Sequence, residues 1–181
     1  MPWEYLELEQ LDGRFLAAAG YLAGKIEGEN ILDLNCGTAR LLKYLPPIFE
    51  NYFCNDINFE PITQGLKIQF FKKTDNEMVQ IVKSEEIDIL CLFGHGGGDK
   101  LPNEHESKTL TQSAIQIIKD HAPKIIILEA CWDYVHNKCV LGDILDFALK
   151  EMGCLIKQNI LIKPIEVYNP LYKRNLIILE K

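Results

Sequence analysis

The residues able to do chemistry gather where short apolar runs end. The first group is Asp33-Leu34-Asn35-Cys36-Gly37-Thr38-Ala39, a carboxylate and a loop of small residues at the end of the run 30–34. Open parallel sheets place ligands beyond the carboxyl ends of their strands, which makes the loop after the first such run the place to look for a ligand. The next run, 52–54, ends in Asn55-Asp56. Asp56 therefore follows Asp33 at close to the roughly 20-residue interval at which a strand-end carboxylate meets a ribose. A carboxylate so placed can accept from both ribose hydroxyls, each charged hydrogen bond being worth about 1.5–3 kcal/mol. The simpler alternative is a tight strand-to-helix turn, with Asp56 capping the helix that follows it.

Three further groups follow the later runs. Residues 87–93 lead into Phe93-Gly94-His95, and the imidazole of His95 titrates near neutrality, as a general base must. His105, between Glu104 and Glu106, lies further along the same expected loop. Residues 124–128 lead into Glu129-Ala130-Cys131-Trp132-Asp133-Tyr134, an expected loop in which Glu129 supplies a carboxylate and Trp132 and Tyr134 supply aromatic walls for a substrate. The same two rings could instead pack over the sheet edge. Cys131, His136 and Cys139, with His95, match no standard zinc spacing, so no metal site is expected.

These groups need a scaffold that brings strand ends together, and the order of elements provides one. Helix-like spacing covers 15–26, then 38–45 up to the stop at Pro46-Pro47, 61–68, 77–82, 109–121 and 140–152. Strand-like runs cover 30–34, 52–54, 68–71, 87–93, 124–128, 154–162 and 175–179. Alternation of strands with helices implies an α/β three-layer sandwich with a mostly parallel seven-stranded sheet. The last two strands have no convincing helix between them and form an antiparallel pair.

A chain of 181 residues, 48% of them hydrophobic, fits one domain spanning 1–181. Its formal charge of -7 gives no general attraction to nucleic acid or anionic membranes, so neither is expected as a partner. The first residues lack the pattern of a signal peptide and no apolar run reaches spanning length, which predicts a cytoplasmic protein. The six cysteines lie mostly in or beside apolar runs, as reduced buried thiols do, and no disulfide framework is expected.

The first loop, Asp56 and the closing hairpin together resemble the class I S-adenosylmethionine-dependent methyltransferases, whose first-strand loop commonly reads Asp-x-Gly-x-Gly-x-Gly. Asp33 and Gly37 match that pattern, while Asn35 and Ala39 stand where glycines are usual. Asparagine adopts positive φ more readily than other non-glycine residues, and Ala39 needs only helical angles if a helix has begun, though its methyl would then crowd the cofactor. The resemblance covers almost the whole chain and implies the strand order 3-2-1-4-5-7-6 with the last strand antiparallel. It also implies S-adenosylmethionine as cofactor, held by Asp33, Asn35 and Gly37, with Asp56 and Ile57 at the ribose and adenine. Asp75 would meet the adenine edge, and Phe93-Gly94 would lie near the methionine portion.

The implied activity is methyl transfer to a small molecule or protein side chain. Asn169-Pro170-Leu171-Tyr172 is similar to the Asn-Pro-Pro-Tyr motif of amino-group methyltransferases but falls between the last two strands rather than after the fourth, so it carries no weight. Two other readings remain open. One is a methyltransferase-shaped domain that binds without catalysis. The other is a caspase-like cysteine peptidase, since His-Gly at 95–96 and Ala-Cys at 130–131 end neighbouring apolar runs and resemble that nucleophilic pair.

Overall fold

The apolar runs read as unbroken because both faces of the sheet they form are covered. The computed structural model describes residues 13–61, 65–93, 104–133, 138–139, 141–162 and 172–181. Within these lie the strands β1 (Asn30–Asp33), β2 (Asn51–Asn55), β3 (Ile68–Phe71), β4 (Ile89–Leu92), β5 (Ile125–Asp133), β6 (Lys138–Cys139), β7 (Leu155–Ile162) and β8 (Tyr172–Glu180). The helices are α1 (Gly13–Leu22), α2 (Asp75–Ile81), α3 (Glu104–His121) and α4 (Gly142–Lys150).

The strands form one sheet in the order β3-β2-β1-β4-β5-β8-β7, with the two-residue β6 added beside β5. Pairing is parallel from β3 through β5, and β8 runs antiparallel to both its neighbours. Apart from β6, this is the order expected from the sequence, last strand included. Alternate side chains enter two cores. Leu32, Leu90, Leu92, Ile126 and Leu128 pack against α2, α3 and α4, whereas Ile31, Ile89, Cys91 and Ile127 pack against α1 and residues 41–45. Three layers result.

Four expectations give way. The helix expected from 38 to 45 is only a 3-10 turn, Arg40–Lys43, because Ala39 adopts the left-handed conformation and no α-helix can run through it. With Pro46-Pro47 closing the other end, too little chain is left for a stable helix. The helix expected over 61–68 is also not formed in its described part. Residues 66–67 make a turn, Leu66 is fully exposed, and Ile68 already pairs with Tyr52 in β3. Finally, residues 129–133 are strand rather than loop, because β8 offers β5 an antiparallel partner as far as the Asp133–Tyr172 pair. Likewise α3 begins at Glu104, so His105 belongs to a helix and not to the preceding loop. Among the described residues, no helix is long and apolar enough to cross a membrane.

Candidate active site at the strand ends

The parallel register sets Asp33 of β1 beside Cys54 of β2 and Cys91 of β4, so the loops that leave these strands share one edge of the sheet. The loop after β1 alternates its backbone: Asn35, Gly37 and Ala39 have φ of 54°, 57° and 53°. Asn35 thus keeps the left-handed turn that a glycine would make. Ala39 does the same instead of adopting helical angles, and its methyl is buried in the core beneath α1 rather than turned toward a ligand. A methyl added at Gly37 would meet no atom within 4 Å, so the loop is open there.

The end of β2 holds this loop in place. The Asn35 N–H donates to Asn55 Oδ1 at 3.2 Å, and the Cys36 N–H donates to the Asn55 carbonyl at 2.8 Å. The Gly37 N–H donates to Asp56 Oδ2 at 2.9 Å. The other oxygen of Asp56 accepts from the N–H groups of Asn58 at 2.7 Å and Phe59 at 3.0 Å. Asp56 therefore closes its own turn and the glycine loop together, and among the described residues no helix lies between it and β3. Asn55 Nδ2 donates to Asp75 Oδ1 at 2.9 Å, which connects the loop to the first turn of α2. That turn starts two residues before the expected helix because Thr74 and Glu77 form a reciprocal capping box. Ile57, beside Asp56, is 53% exposed and offers an apolar surface at the same edge.

Below the loop lies Asp33, a buried acid that the resemblance assigned to holding the cofactor. Asp33 is 1% exposed, Tyr52 donates its hydroxyl to Oδ2 at 2.6 Å, and Oδ1 has no partner. Burial pushes the Asp33 carboxyl up to about 7, the negative charge of Asp56 adds to this, and the Tyr52 hydrogen bond opposes it. Between about pH 4 and pH 7 the folded chain thus holds a proton that the unfolded chain has lost. Stability from this group is complete at the acid end and is lost as pH rises through 7, by about 4 kcal/mol at most. Urea melts at about pH 5 and pH 7.5 are expected to show a drop that Asp33→Asn removes. Equal drops in both proteins would refute the assignment. The neighbouring Cys36 thiol is pushed far up by its hydrogen bond with Cys54 and by burial, which makes it a poor nucleophile.

The groups expected near the methionine portion, the general base and the substrate walls fare differently. Phe93 is buried and packs on Phe15 of α1 with ring centroids 4.9 Å apart, so its side chain faces the core. Glu129 turns to the same face, where its carboxylate meets Arg14 Nη1 at 3.1 Å, and both side chains are nearly inaccessible. It holds α1 down rather than opening onto a substrate. Gly94, His95, Tyr134, His136 and the 169–171 segment lie outside the described residues, as do the side chains of His105, Cys131, Trp132, Cys139 and Tyr172. Neither the His95–Cys131 pairing nor the zinc grouping can therefore be drawn in atoms, although β4 and β5 are parallel neighbours. Among the described residues no group of three or more His, Cys, Asp or Glu could hold a metal. Asn55, Tyr52 and Arg14 are positions supporting this edge of the sheet that sequence reasoning missed. The one available signal was a lone arginine opening an alanine-rich helix.

No protein-family model matches the sequence, and no curated protein matches it. Solved structures do match the fold. The magnesium protoporphyrin IX methyltransferase of Synechocystis PCC 6803 with bound S-adenosylmethionine is 16% identical, with a TM-score of 0.61 over 95% of this chain and 80% of that one. The N-methyltransferase NodS of Bradyrhizobium japonicum WM9 is 9% identical, with a TM-score of 0.62 over 97% of this chain and 98% of that one. The putative RNA methyltransferase PH1948 of Pyrococcus horikoshii is 17% identical, with a TM-score of 0.52 over 92% and 79%. From strand order to closing hairpin, this chain has the fold of the class I S-adenosylmethionine-dependent methyltransferases.

Proposed function

We propose that this chain is an S-adenosylmethionine-dependent methyltransferase, with the cofactor lying over residues 33–39 and against Asp56, Ile57 and Asp75. The observation that carries the reading is the loop itself: three alternating left-handed residues, open above Gly37 and tied through the Gly37 N–H to Asp56. The residues fit the cofactor with one adjustment. Three N–H donors already use three of the roughly four acceptor positions of the Asp56 carboxylate, leaving capacity for one ribose hydroxyl rather than two. Asp33, buried beside the start of the loop, keeps its Oδ1 without a partner among the described residues.

When bound, the cofactor supplies a sulfonium methyl group for in-line displacement; the chain's task is to orient the acceptor and, where needed, take its proton. His95, two residues beyond Phe93, is the proposed base, and Trp132 and Tyr134 the proposed substrate walls. The acceptor we favour is a small molecule or protein side chain, in keeping with the charge of -7. The names of the three fold relatives span a porphyrin, an N-methyl acceptor and RNA, so the fold itself does not select one. Calorimetric titration with S-adenosylhomocysteine is expected to give a Kd of about 10 μM or tighter and a matching rise in Tm. No heat and no thermal shift at about 1 mM ligand would overturn the reading.

A further inference from the structure

We propose that the free edge of β7 is a self-association surface, where two copies of this chain join antiparallel into one continuous sheet about a two-fold axis at Ile160. β7 ends the sheet and pairs only with β8. Half of the exposed large apolar side chains among the described residues lie on it: Leu155, Ile156, Ile160 and Leu161, each between 39% and 62% exposed. The register places them on both faces. Ile160 stands opposite Leu176, on the face of α1, and Leu155, opposite Glu180, shares that face. Ile156 and Leu161, opposite Leu179 and Asn175, lie on the face of α3 and α4. A helix laid on one face would leave the other pair exposed. An occupant that covers both must lie in the plane of the sheet, as an added strand.

Edge strands are ordinarily guarded against such pairing by a charge, a proline or a bulge. On β7 these devices stop halfway. The register shifts between Ile156 and Gln158, and Lys157 in that bulge reaches back to Glu180 of its own chain at 3.8 Å. The stretch Gln158–Ile162 has no charge, proline or bulge. Residues paired in an antiparallel ladder share a face, so a two-fold at the middle of this stretch sets Ile160 beside its own copy on the α1 face. On the other face it sets Leu161 beside Asn159 of the second copy. The occupant is a second copy because the edge matches itself in this way, and because β7 carries no acid although the chain as a whole carries -7. Two like-charged copies meet here without setting acid against acid. The four side chains expose on the order of 300 Å² per copy, and with the backbone edges two copies bury on the order of 1,000 Å², the lower end for a specific interface. A weak dimer with a Kd of about 10 μM is expected.

Sedimentation velocity on the full chain between about 1 and 100 μM is the test. The mass is expected to rise from 20.7 kDa toward twice that value. Dimer is expected to gain as salt goes from about 0.05 to 0.5 M, because the repulsion between copies is screened while the apolar contact persists. Amide exchange of residues 158–162 in the wild type is expected to slow as concentration rises. Ile160→Lys and Ile160→Glu each set like charges together at the axis, and each alone is expected to stay monomeric at about 100 μM. Mixed in equal amounts, they are expected to pair again. Leu66→Lys, at the opposite end of the sheet, is expected to leave the dimer unchanged. A wild type that is monomeric at about 100 μM in about 0.5 M salt would overturn the inference. So would a dimer that survives both charged variants, or one whose concentration-dependent protection lies outside residues 158–162. The exchange measurement needs no substitution, so it decides the question even if a variant at 160 folds poorly.

Discussion

Arg14→Met is expected to lower the unfolding free energy by about 3–5 kcal/mol, the usual cost of leaving one partner of a buried ion pair without the other. Arg14 and Glu129 meet at 3.1 Å with side-chain exposures of 4% and 2%, so water does little to screen the pair or to replace a lost partner. The guanidinium also lies 4.8 Å from the Phe15 ring centroid, and its Nε has no hydrogen-bond partner, which shows that the pair was desolvated at a cost. Glu129→Leu is expected to cost a similar amount. Because each charge of the pair then leaves with the other, Arg14→Met with Glu129→Leu is expected to cost less than the sum of the two single changes. The check is a urea double-mutant cycle with unchanged m values; strictly additive single effects would mean that the two residues do not act on each other. Since Arg14 opens α1 and Glu129 lies just beyond Leu128, the pair pins the start of that helix over the strand ends where the site is built.

The part of this molecule legible in its sequence is the part governed by local pattern. Strands β1, β4 and β5 were readable because both their faces are buried, so Ile89 through Leu92 and Ile125 through Leu128 carry no polar interruption. The closing hairpin was readable because no helical segment separates β7 from β8. The left-handed turn at Asn35 followed from the chemistry of asparagine. Ala39 was not readable: nothing in an alanine announces φ of 53°, and what offsets that conformation is the burial of its methyl against α1 together with backbone hydrogen bonds to Cys36 and Leu42. The stretch around Leu66, Ile68 and Phe70 fits either period when so short, and pairing with β2 decided for strand. Glu129 was misjudged because its partner lies 115 residues away, and no local signal tells an acid aimed at a ligand from one aimed at a buried arginine. Asn55 was passed over for the adjacent Asp56, although the amide makes the longer-range connections.

Asp56 carries the largest expected effect on ligand binding. Asp56→Ala removes the acceptor for Gly37, Asn58 and Phe59 at once, so it is expected to cost about 2–4 kcal/mol of stability and to weaken S-adenosylhomocysteine binding more than about 100-fold. Lost binding in that variant would not by itself distinguish a missing ligand contact from a loosened loop. Asp56→Asn separates the two. Its single oxygen can keep accepting from Asn58 and Phe59, while its NH2 faces the Gly37 N–H and has no acceptor capacity for a ribose hydroxyl. The amide variant is therefore expected to lose only about 1–2 kcal/mol of stability, yet to bind nearly as poorly as the alanine variant. Melts and calorimetry on the two proteins give the comparison. If Asp56→Asn folds normally and holds the ligand within about tenfold of wild type, Asp56 is a structural latch and the ribose contact belongs elsewhere; if binding collapses while the fold persists, the carboxylate serves the ligand as well as the loop.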